Sequence, residues 1–211
     1  MLHKDYTWTQ DPAGNVYLGT AATTLNPGTS YAVQTKSVQT LDTYGNLVQS
    51  QVYDYANAAT PARTYTYSYL TSSVYTSRYM RNLLTSASVT DSKGQMTVLG
   101  GNTFDYGYNS TCASPAAPPL DRPGLPMHDL NYSTSVSCRG DATTVVNLNT
   151  STSYNYDIGG VPYEMQNAYG TPTSLSVTSN TNYSLPEVLT PNSVAGLATT
   201  VSYPPFVHHL H

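Results

Sequence analysis

The stretch Leu41–Tyr69, LDTYGNLVQSQVYDYANAATPARTYTYSY, predicts a β-hairpin that is followed by a further strand. Asp42 and Gly45 take the first and fourth places of a type I turn, in which the Asp side chain accepts a turn hydrogen bond and Gly adopts a positive φ. Residues 47–53 then leave the turn as a strand that ends in the pair Tyr53-Asp54. The stretch therefore holds one complete copy of a unit that recurs along the chain.

The end of the same stretch carries a row of tyrosines. Residues 64–69 alternate hydroxyl and tyrosine side chains, and alternate residues of a strand point to the same face of a sheet. We therefore expect three phenol rings side by side on one face, at Tyr65, Tyr67 and Tyr69.

The composition of the 211 residues favours an all-β fold. Only 9% of the residues are charged and 20 are tyrosine. Tyr, Thr and Val favour strands, and residues that favour helix are few. Residues 75–84 are the one stretch that is expected to form a helical turn. The net charge of −4, with scattered lysine and arginine, argues against nucleic acid as a partner.

Turns of the same type recur along the sequence. Asp-x-x-Gly turns at Asp11, Asp42 and Asp91 are each expected to join two adjacent antiparallel strands, and later copies start at Asp157 and Asn167. Further strands are expected at residues 31–41, 85–90, 95–99, 130–137, 143–150, 153–156, 161–166 and 173–178.

A proline-rich segment divides the sequence. Proline lacks the backbone N–H that strand pairing needs, and five prolines lie between residues 106 and 126. We therefore predict three parts: hairpins in residues 1–105, a loop or linker in residues 106–129, and further hairpins with a tail in residues 130–211.

The pairs Tyr53-Asp54 and Tyr156-Asp157, together with the Asp-x-x-Gly turns, resemble the YD repeats of RHS (rearrangement hotspot) proteins. Relatives of that family include the insecticidal toxin-complex shells and the teneurins. The resemblance runs from about Trp8 to Tyr203 and rests on several copies of a short motif with β sequence between them.

This resemblance implies a curved, spiralling antiparallel sheet of the kind that closes into a hollow shell around a C-terminal toxin. It also implies an extracellular or cell-surface location, although residues 1–5 lead into polar sequence and show no signal peptide. The shells of the family are far longer than 211 residues, so we interpret the chain as a fragment or truncated frame of such a shell. Its sheet edges are then expected to pair with another copy of the chain.

Aromatic side chains suggest a binding surface. Tyr65, Tyr67 and Tyr69, with Trp8, are candidates for a platform on which sugar rings stack, because flat aromatic faces suit the C–H faces of pyranoses. The alternative is that these tyrosines pack the sheet.

The proline-rich loop holds the candidate catalytic residues. His128 suits a general base and Asp129 an orienting carboxylate, and Asp121 with Asp129 suits a calcium site. Two functions therefore remain open. One is a non-catalytic shell or binding module that takes carbohydrate, and the other is a small calcium-dependent hydrolase of an ester or lactone.

Two further features bear on location and partners. The cysteines Cys112 and Cys138 are consistent with a disulfide and equally with two free thiols, so they do not indicate a compartment. No apolar stretch approaches the length that spans a membrane.

Overall fold

The computed structural model describes residues 1–55, 57, 59–107, 118–126 and 128–203, and strands dominate this part of the chain. The thirteen strands within the described residues are β1 (Leu2–Gln10), β2 (Val16–Leu25), β3 (Val33–Leu41), β4 (Leu47–Tyr53), β5 (Arg63–Tyr69), β6 (Leu84–Asp91), β7 (Met96–Phe104), β8 (Ala142–Asn147), β9 (Thr150–Tyr156), β10 (Pro162–Asn167), β11 (Pro172–Ser176), β12 (Val188–Pro191) and β13 (Thr199–Thr200).

Strand order in the sheet follows chain order. Each strand hydrogen-bonds to the strand that comes next in sequence, from β1 to β13, and the strands are antiparallel. Such an arrangement needs only short connections between neighbours. The predicted all-β fold of antiparallel hairpins is therefore confirmed, while its curvature and spiral stay a prediction.

The three Asp-x-x-Gly turns predicted to join neighbouring strands do so. Asp11 lies between β1 and β2, Asp42 between β3 and β4, and Asp91 at the end of β6, before β7. In each turn the Gly N–H donates to the carbonyl of the Asp that opens the turn, at 3.0–3.1 Å. Gly14, Gly45 and Gly94 adopt φ of +88°, +82° and +82°, which is the left-handed conformation that the turn type requires.

The chain divides into two compact units. The first contains Met1–Thr71 and Tyr79–Gly101, and the second contains Ser72–Arg78 with the described residues from Asn102 onward. In the first unit most side chains of β2 to β6 are half-buried, so cross-strand neighbours supply most of their packing.

Side chains that are fully or almost fully buried lie in the second unit. They are Tyr75, Cys138, Thr143 and Asp157, each less than 2% exposed or nearly so. Tyr75 comes from a one-turn helix, α1 (Ser73–Thr76), in which Ser72 O accepts hydrogen bonds from the N–H groups of Tyr75 and Thr76. Cys138 is disulfide-bonded, and Cys112 lies outside the described residues.

Three local predictions are wrong. Residues 130–137 do not form a strand, because Asp129 caps a short 3₁₀ helix (Leu130–Tyr132) by accepting a hydrogen bond from the N–H of Asn131. Residues 143–150 are not one strand, because Leu148 adopts a φ of +52° in the turn between β8 and β9. The helical turn expected within residues 75–84 lies earlier, at Ser73–Thr76, and Tyr79 already has a φ of +64°.

No helix among the described residues has the length and apolar character needed to cross a membrane.

Candidate functional site

A cleft in the second unit lies beside the proline-rich loop. Its volume is about 370 Å³, within the range of roughly 300–1,000 Å³ that is usual for small-molecule sites. Its apolar lining is Leu125, Pro126, Ile158 and Val161. Its polar and aromatic lining includes His128, Asp129, Tyr132, Arg139, Asn182, Tyr183 and Ser184.

His128, the predicted general base, lines this cleft. Its Nε2 atom is buried and has no hydrogen-bond partner among the described residues. A buried ring nitrogen without a partner is costly, and most such groups are paired with protein or water. His128 therefore has an unused hydrogen-bonding capacity at its Nε2 atom.

Asp129 lines the same cleft but has a local role. Its Oδ1 accepts hydrogen bonds from the backbone N–H and the side-chain amide of Asn131, both at 2.9 Å. No hydrogen bond between Asp129 and His128 is present in the described structure, so the expected orientation of the imidazole by this carboxylate is not formed here.

Asp121, the second predicted calcium ligand, is exposed and does not line the cleft. Calcium takes six to eight oxygen ligands, several of them carboxylates. Within the described ranges, no group of three or more His, Cys, Asp or Glu side chains is arranged to hold a metal ion. Asp121 and Asp129 therefore do not form a calcium site by themselves.

Arg139 organises one side of the cleft through backbone carbonyls. Its Nε donates to Val136 O at 2.9 Å, its Nη1 to Ile158 O at 2.9 Å, and its Nη2 to the carbonyls of Tyr132 and Ser133. A guanidinium whose donors are engaged in this way is poorly available to an anionic ligand. Arg139 thus stabilises the loop instead of offering a charge to the cleft.

A second polar cluster lies close to Arg139, around buried Asp105. The Asp105 carboxylate accepts hydrogen bonds from the Tyr75 hydroxyl at 2.8 Å, the Gly140 N–H at 2.8 Å and the Asp141 N–H at 3.2 Å. Burial, together with the hydrogen bond to Asp105, raises the pKa of Tyr75. These bonds connect α1, the end of β7 and the segment before β8.

Asp141 is the perturbed carboxyl of this cluster. Burial, followed by repulsion from Asp105, raises the pKa of Asp141 to about 6, and Arg139 opposes the shift. The small cavity that Asp141 lines with Asp105 and Arg139 measures about 10 Å³, which is room for about one water molecule. The cluster is therefore closed to any larger ligand.

Asp157, the acidic residue of the second Tyr-Asp pair, is fully buried. Its Oδ1 accepts from the N–H groups of Gly159 and Val161, at 2.9 and 3.0 Å, and its Oδ2 accepts from Arg122 Nε. Arg122 also lies over the Tyr183 ring, 5.5 Å from its centroid. The buried carboxylate thus positions two segments that line the cleft.

Sequence reasoning treated Asp157 only as a turn residue and attached no role to Asp105. Both follow an aromatic residue at the end of a strand, as Phe104-Asp105 and Tyr156-Asp157. Asp54 follows Tyr53 at the end of β4 in the same way but is exposed, so an aromatic residue followed by Asp does not by itself indicate a buried carboxylate.

The predicted aromatic platform is only partly brought together. Tyr65, Tyr67 and Tyr69 lie half-buried on one face of β5, and the Tyr69 hydroxyl donates to Leu47 O at 3.1 Å. Trp8 lies in β1, with β2, β3 and β4 between the two strands, and its side chain is 65% exposed. Trp8 is therefore not adjacent to the tyrosine row in the sheet order.

No family model matches this sequence, and a comparison with curated proteins finds no match either.

Proposed function

We propose that the chain is a non-catalytic scaffold built from YD-type hairpins, a segment of a shell of the RHS kind, with a carbohydrate-binding cleft. The observation that carries the proposal is one turn that occurs five times in the described part of the chain with the same hydrogen bonds. The turns begin at Asp11, Asp42, Asp91, Asp157 and Asn167. A repeated local unit with sequence-adjacent pairing is typical of scaffolds that extend by adding copies.

In each turn the first side chain accepts two backbone N–H hydrogen bonds. The donors lie two and four residues further on, at distances of 2.8–3.1 Å. Because each side-chain oxygen accepts hydrogen bonds within its own turn, these four aspartates and Asn167 stabilise the turns that join the strands. This supports a structural role for the repeated motif.

Duplication of one hairpin tests the scaffold role. Residues 33–62, which contain β3 and β4, are inserted a second time after residue 62. In a scaffold of sequence-adjacent strands the extra hairpin folds between β4 and β5, so the urea m-value rises with the added buried surface while the midpoint is kept. The control is an insert of the same length and composition in scrambled order.

The scaffold proposal fails if the duplicated chain loses its cooperative transition as the scrambled control does. That result would mean that the strands depend on one unique set of neighbours.

Neutral carbohydrate is the ligand class that suits the cleft. Arg139 has its donors engaged and Asp129 contributes negative charge, so an anion is disfavoured. Tyr132 and Tyr183 supply aromatic surface, and Asn182 supplies an amide that donates and accepts. These groups match the apolar faces and hydroxyl edges of a sugar ring.

Titration calorimetry with neutral mono- and disaccharides checks the ligand class. We expect millimolar to micromolar binding that Tyr183→Ala weakens by at least about tenfold, which corresponds to roughly 1.4 kcal/mol. Tyr169→Ala is the matched control, because Tyr169 is 93% exposed and does not line the cleft. Equal affinity in both variants would place the sugar elsewhere, with the face of Tyr65, Tyr67 and Tyr69 the next candidate.

A second candidate function is hydrolysis of a small ester or lactone at His128. The observation that favours it is the buried, unpartnered Nε2 in a cleft of ligand size. In this reaction Nε2 takes a proton from water as the water oxygen attacks the carbonyl carbon. The acyl C–O bond then breaks, and the imidazolium returns the proton to the leaving oxygen.

A hydrolysis screen on small esters and lactones, with and without calcium and chelator, separates the two functions. If the reaction occurs, His128→Ala should lower the rate by about 10²-fold or more, the scale expected for loss of a general base. Asp129→Asn should then have little effect, because the Asn131 contacts use Oδ1 and an amide oxygen can keep them. Full turnover in His128→Ala would exclude this site.

A further inference from the structure

Strand β1 is an uncovered edge of the sheet. Among the described strands it pairs only with β2, and all nine of its residues are exposed. Tyr6 is 58% exposed and Trp8 is 65% exposed. An edge strand presents unpaired backbone N–H and C=O groups, which are a template for another strand.

One hydrogen bond shows which backbone groups of β1 are free. Met1 O accepts from Asn26 N at 2.9 Å, and Leu2 is aligned with Leu25 in the same register. In an antiparallel pair, hydrogen-bonded residues alternate with residues whose groups point away. His3, Asp5 and Thr7 therefore bond to β2, whereas the backbone groups of the alternate residues point outward from the sheet: Leu2, Lys4, Tyr6, Trp8 and Gln10.

Apart from Lys4, the outward residues of β1 lack the features that usually protect an edge. The strand is long and contains no proline, and Lys4 and Asp5 carry opposite charges. The bulge near Thr7 and Trp8 places its extra residue, Gly19, on β2 instead of on the edge. The last strand, β13, offers only Thr199–Thr200, so β1 is the edge that can hold a partner strand of useful length.

One register pairs a second copy of β1 with this edge over the full length of the strand. In two-fold antiparallel pairing, outward residues must oppose outward residues. A two-fold axis at Lys4 or at Asp5 would place like charges opposite each other, which is destabilising. An axis at Tyr6 avoids both conflicts and pairs the strand over its full length, Leu2–Gln10.

We propose that two copies of the chain pair through β1, antiparallel, with the two-fold axis at Tyr6. Tyr6 then faces the partner's Tyr6, and Lys4 faces the partner's Trp8, whose ring attracts the ammonium group. The pairing is isologous and closes at two subunits. The inference rests on the proposed scaffold role, to which it adds the partner and the register.

Sedimentation velocity over a broad concentration range tests the pairing. The wild-type chain is expected to show a reversible monomer–dimer equilibrium. Lys4→Pro should abolish the dimer, because it removes an outward N–H that β2 does not use, and proline is tolerated on such an edge. Lys4→Ala is the matched control, which keeps the N–H and should keep the dimer. A wild-type chain that is monomeric at every concentration overturns the proposal.

Cysteine cross-linking tests the register. Directly opposed residues of a hydrogen-bonded pair lie about 5.5 Å apart at Cα, a distance that a disulfide spans. Tyr6→Cys should therefore form a covalent dimer under mild oxidation, whereas Asp5→Cys and Trp8→Cys should not. A mixture of Lys4→Cys and Trp8→Cys chains should cross-link as a heterodimer. Dimers that cross-link through Asp5→Cys, or that persist in Lys4→Pro, contradict this interface.

The hairpin duplication made in the Lys4→Pro chain keeps the two proposals separate. If the Lys4→Pro chain is monomeric and folds cooperatively with the extra hairpin, the scaffold role is supported independently of pairing through β1. A Lys4→Pro chain that is monomeric but unfolds without a cooperative transition once the extra hairpin is added contradicts the scaffold role alone.

Discussion

Carboxylates that hold their own turns are the recurring feature of this chain at the scale of single residues. In the turn at Asp42, Oδ1 accepts from the N–H groups of Tyr44 and Asn46 at 2.8 and 2.9 Å, and Oδ2 accepts from the Asn46 amide. At Asp11 the equivalent amide of Asn15, followed by backbone N–H groups, lowers the pKa of the carboxyl despite some desolvation. The motif thus stabilises the turn through acceptors that a smaller side chain cannot supply.

Removal of one turn carboxylate should destabilise the fold. Asp42→Ala leaves two backbone donors without their acceptor, and we expect a loss of about 1–2 kcal/mol in the free energy of unfolding by urea titration. Asp42→Asn is the control, since Asn167 makes the same two bonds in its own turn. Equal losses in both variants would show that charge, not hydrogen-bond acceptance, is what the turn needs.

Asp141 should give the fold a pH dependence of defined sign. Its pKa is raised to about 6 in the folded chain by burial and by Asp105. A raised pKa means that the folded state binds the proton more tightly, so this contribution to stability is present below pH 4 and is lost as the pH rises through about 6.

Asp141→Asn should remove the loss of stability that accompanies ionisation of Asp141, because asparagine carries no charge at any pH. Between about pH 4 and pH 7 we expect the free energy of unfolding of the variant to rise relative to that of the wild type by roughly 1–2 kcal/mol. The gain is moderate because the Asp141 side chain keeps some contact with solvent. Urea titrations at a series of pH values measure the difference. The control is Asp121→Asn, since the Asp121 side chain is exposed. A difference that does not change with pH would refute the role of Asp141.

At the scale of strands, tyrosine hydroxyls bond to backbone carbonyls beyond the last paired residues. Within the described residues four tyrosines do this, at distances of 2.7–3.4 Å: Tyr17 to Gln39 O, Tyr69 to Leu47 O, Tyr156 to Ala142 O and Tyr203 to Pro186 O. In the first three cases the backbone ladder of the two strands ends before the tyrosine. These hydroxyls donate hydrogen bonds to carbonyls that lie beyond the backbone pairing of the two strands. Some of the many tyrosines therefore stabilise the sheet.

Removal of one such hydroxyl should lower the free energy of unfolding by about the contribution of one partly buried hydrogen bond. Tyr156→Phe is expected to lower the free energy of unfolding by about 1 kcal/mol. Tyr169→Phe should be neutral, because that ring is 93% exposed. Chemical denaturation of both variants provides the comparison, and equal stability would mean that Ala142 O finds water instead.

At the scale of the whole molecule, the most buried side chains and the disulfide of Cys138 belong to the second unit, whereas most strands of the first unit are half-buried. A disulfide restricts the unfolded chain, and its loss typically costs 2–5 kcal/mol in a small domain.

Reduction should therefore affect the two units differently. We expect reductant to speed amide hydrogen exchange in the strands β8 to β11, since opening of the second unit becomes easier. Exchange in β2 to β5 should change much less. Mass spectrometry of exchanged peptides, with and without dithiothreitol, makes the measurement. Uniform acceleration across both groups of strands would show that the disulfide supports the entire chain.

The sequence by itself determined the class of fold and the hairpin turns. An Asp-x-x-Gly turn is specified within five consecutive residues, and tyrosine and threonine favour strands wherever they pair. Such local chemistry predicted the turns at Asp11, Asp42 and Asp91, and placed the ends of β4 correctly. It failed for residues 130–137, where a capping side chain competes with the strand preference of the residues that follow.

Only the tertiary structure decided what surrounds the candidate site. His128 and Asp129 were visible as a polar pair in a loop, but Asn182 and Tyr183 reach the same cleft from a distant segment. The bond from Tyr75 to Asp105 and the pairing of Arg122 with Asp157 likewise join segments 30 and 35 residues apart. Contacts of this kind depend on which segments become neighbours in the folded chain, and the local preferences of a sequence do not specify this.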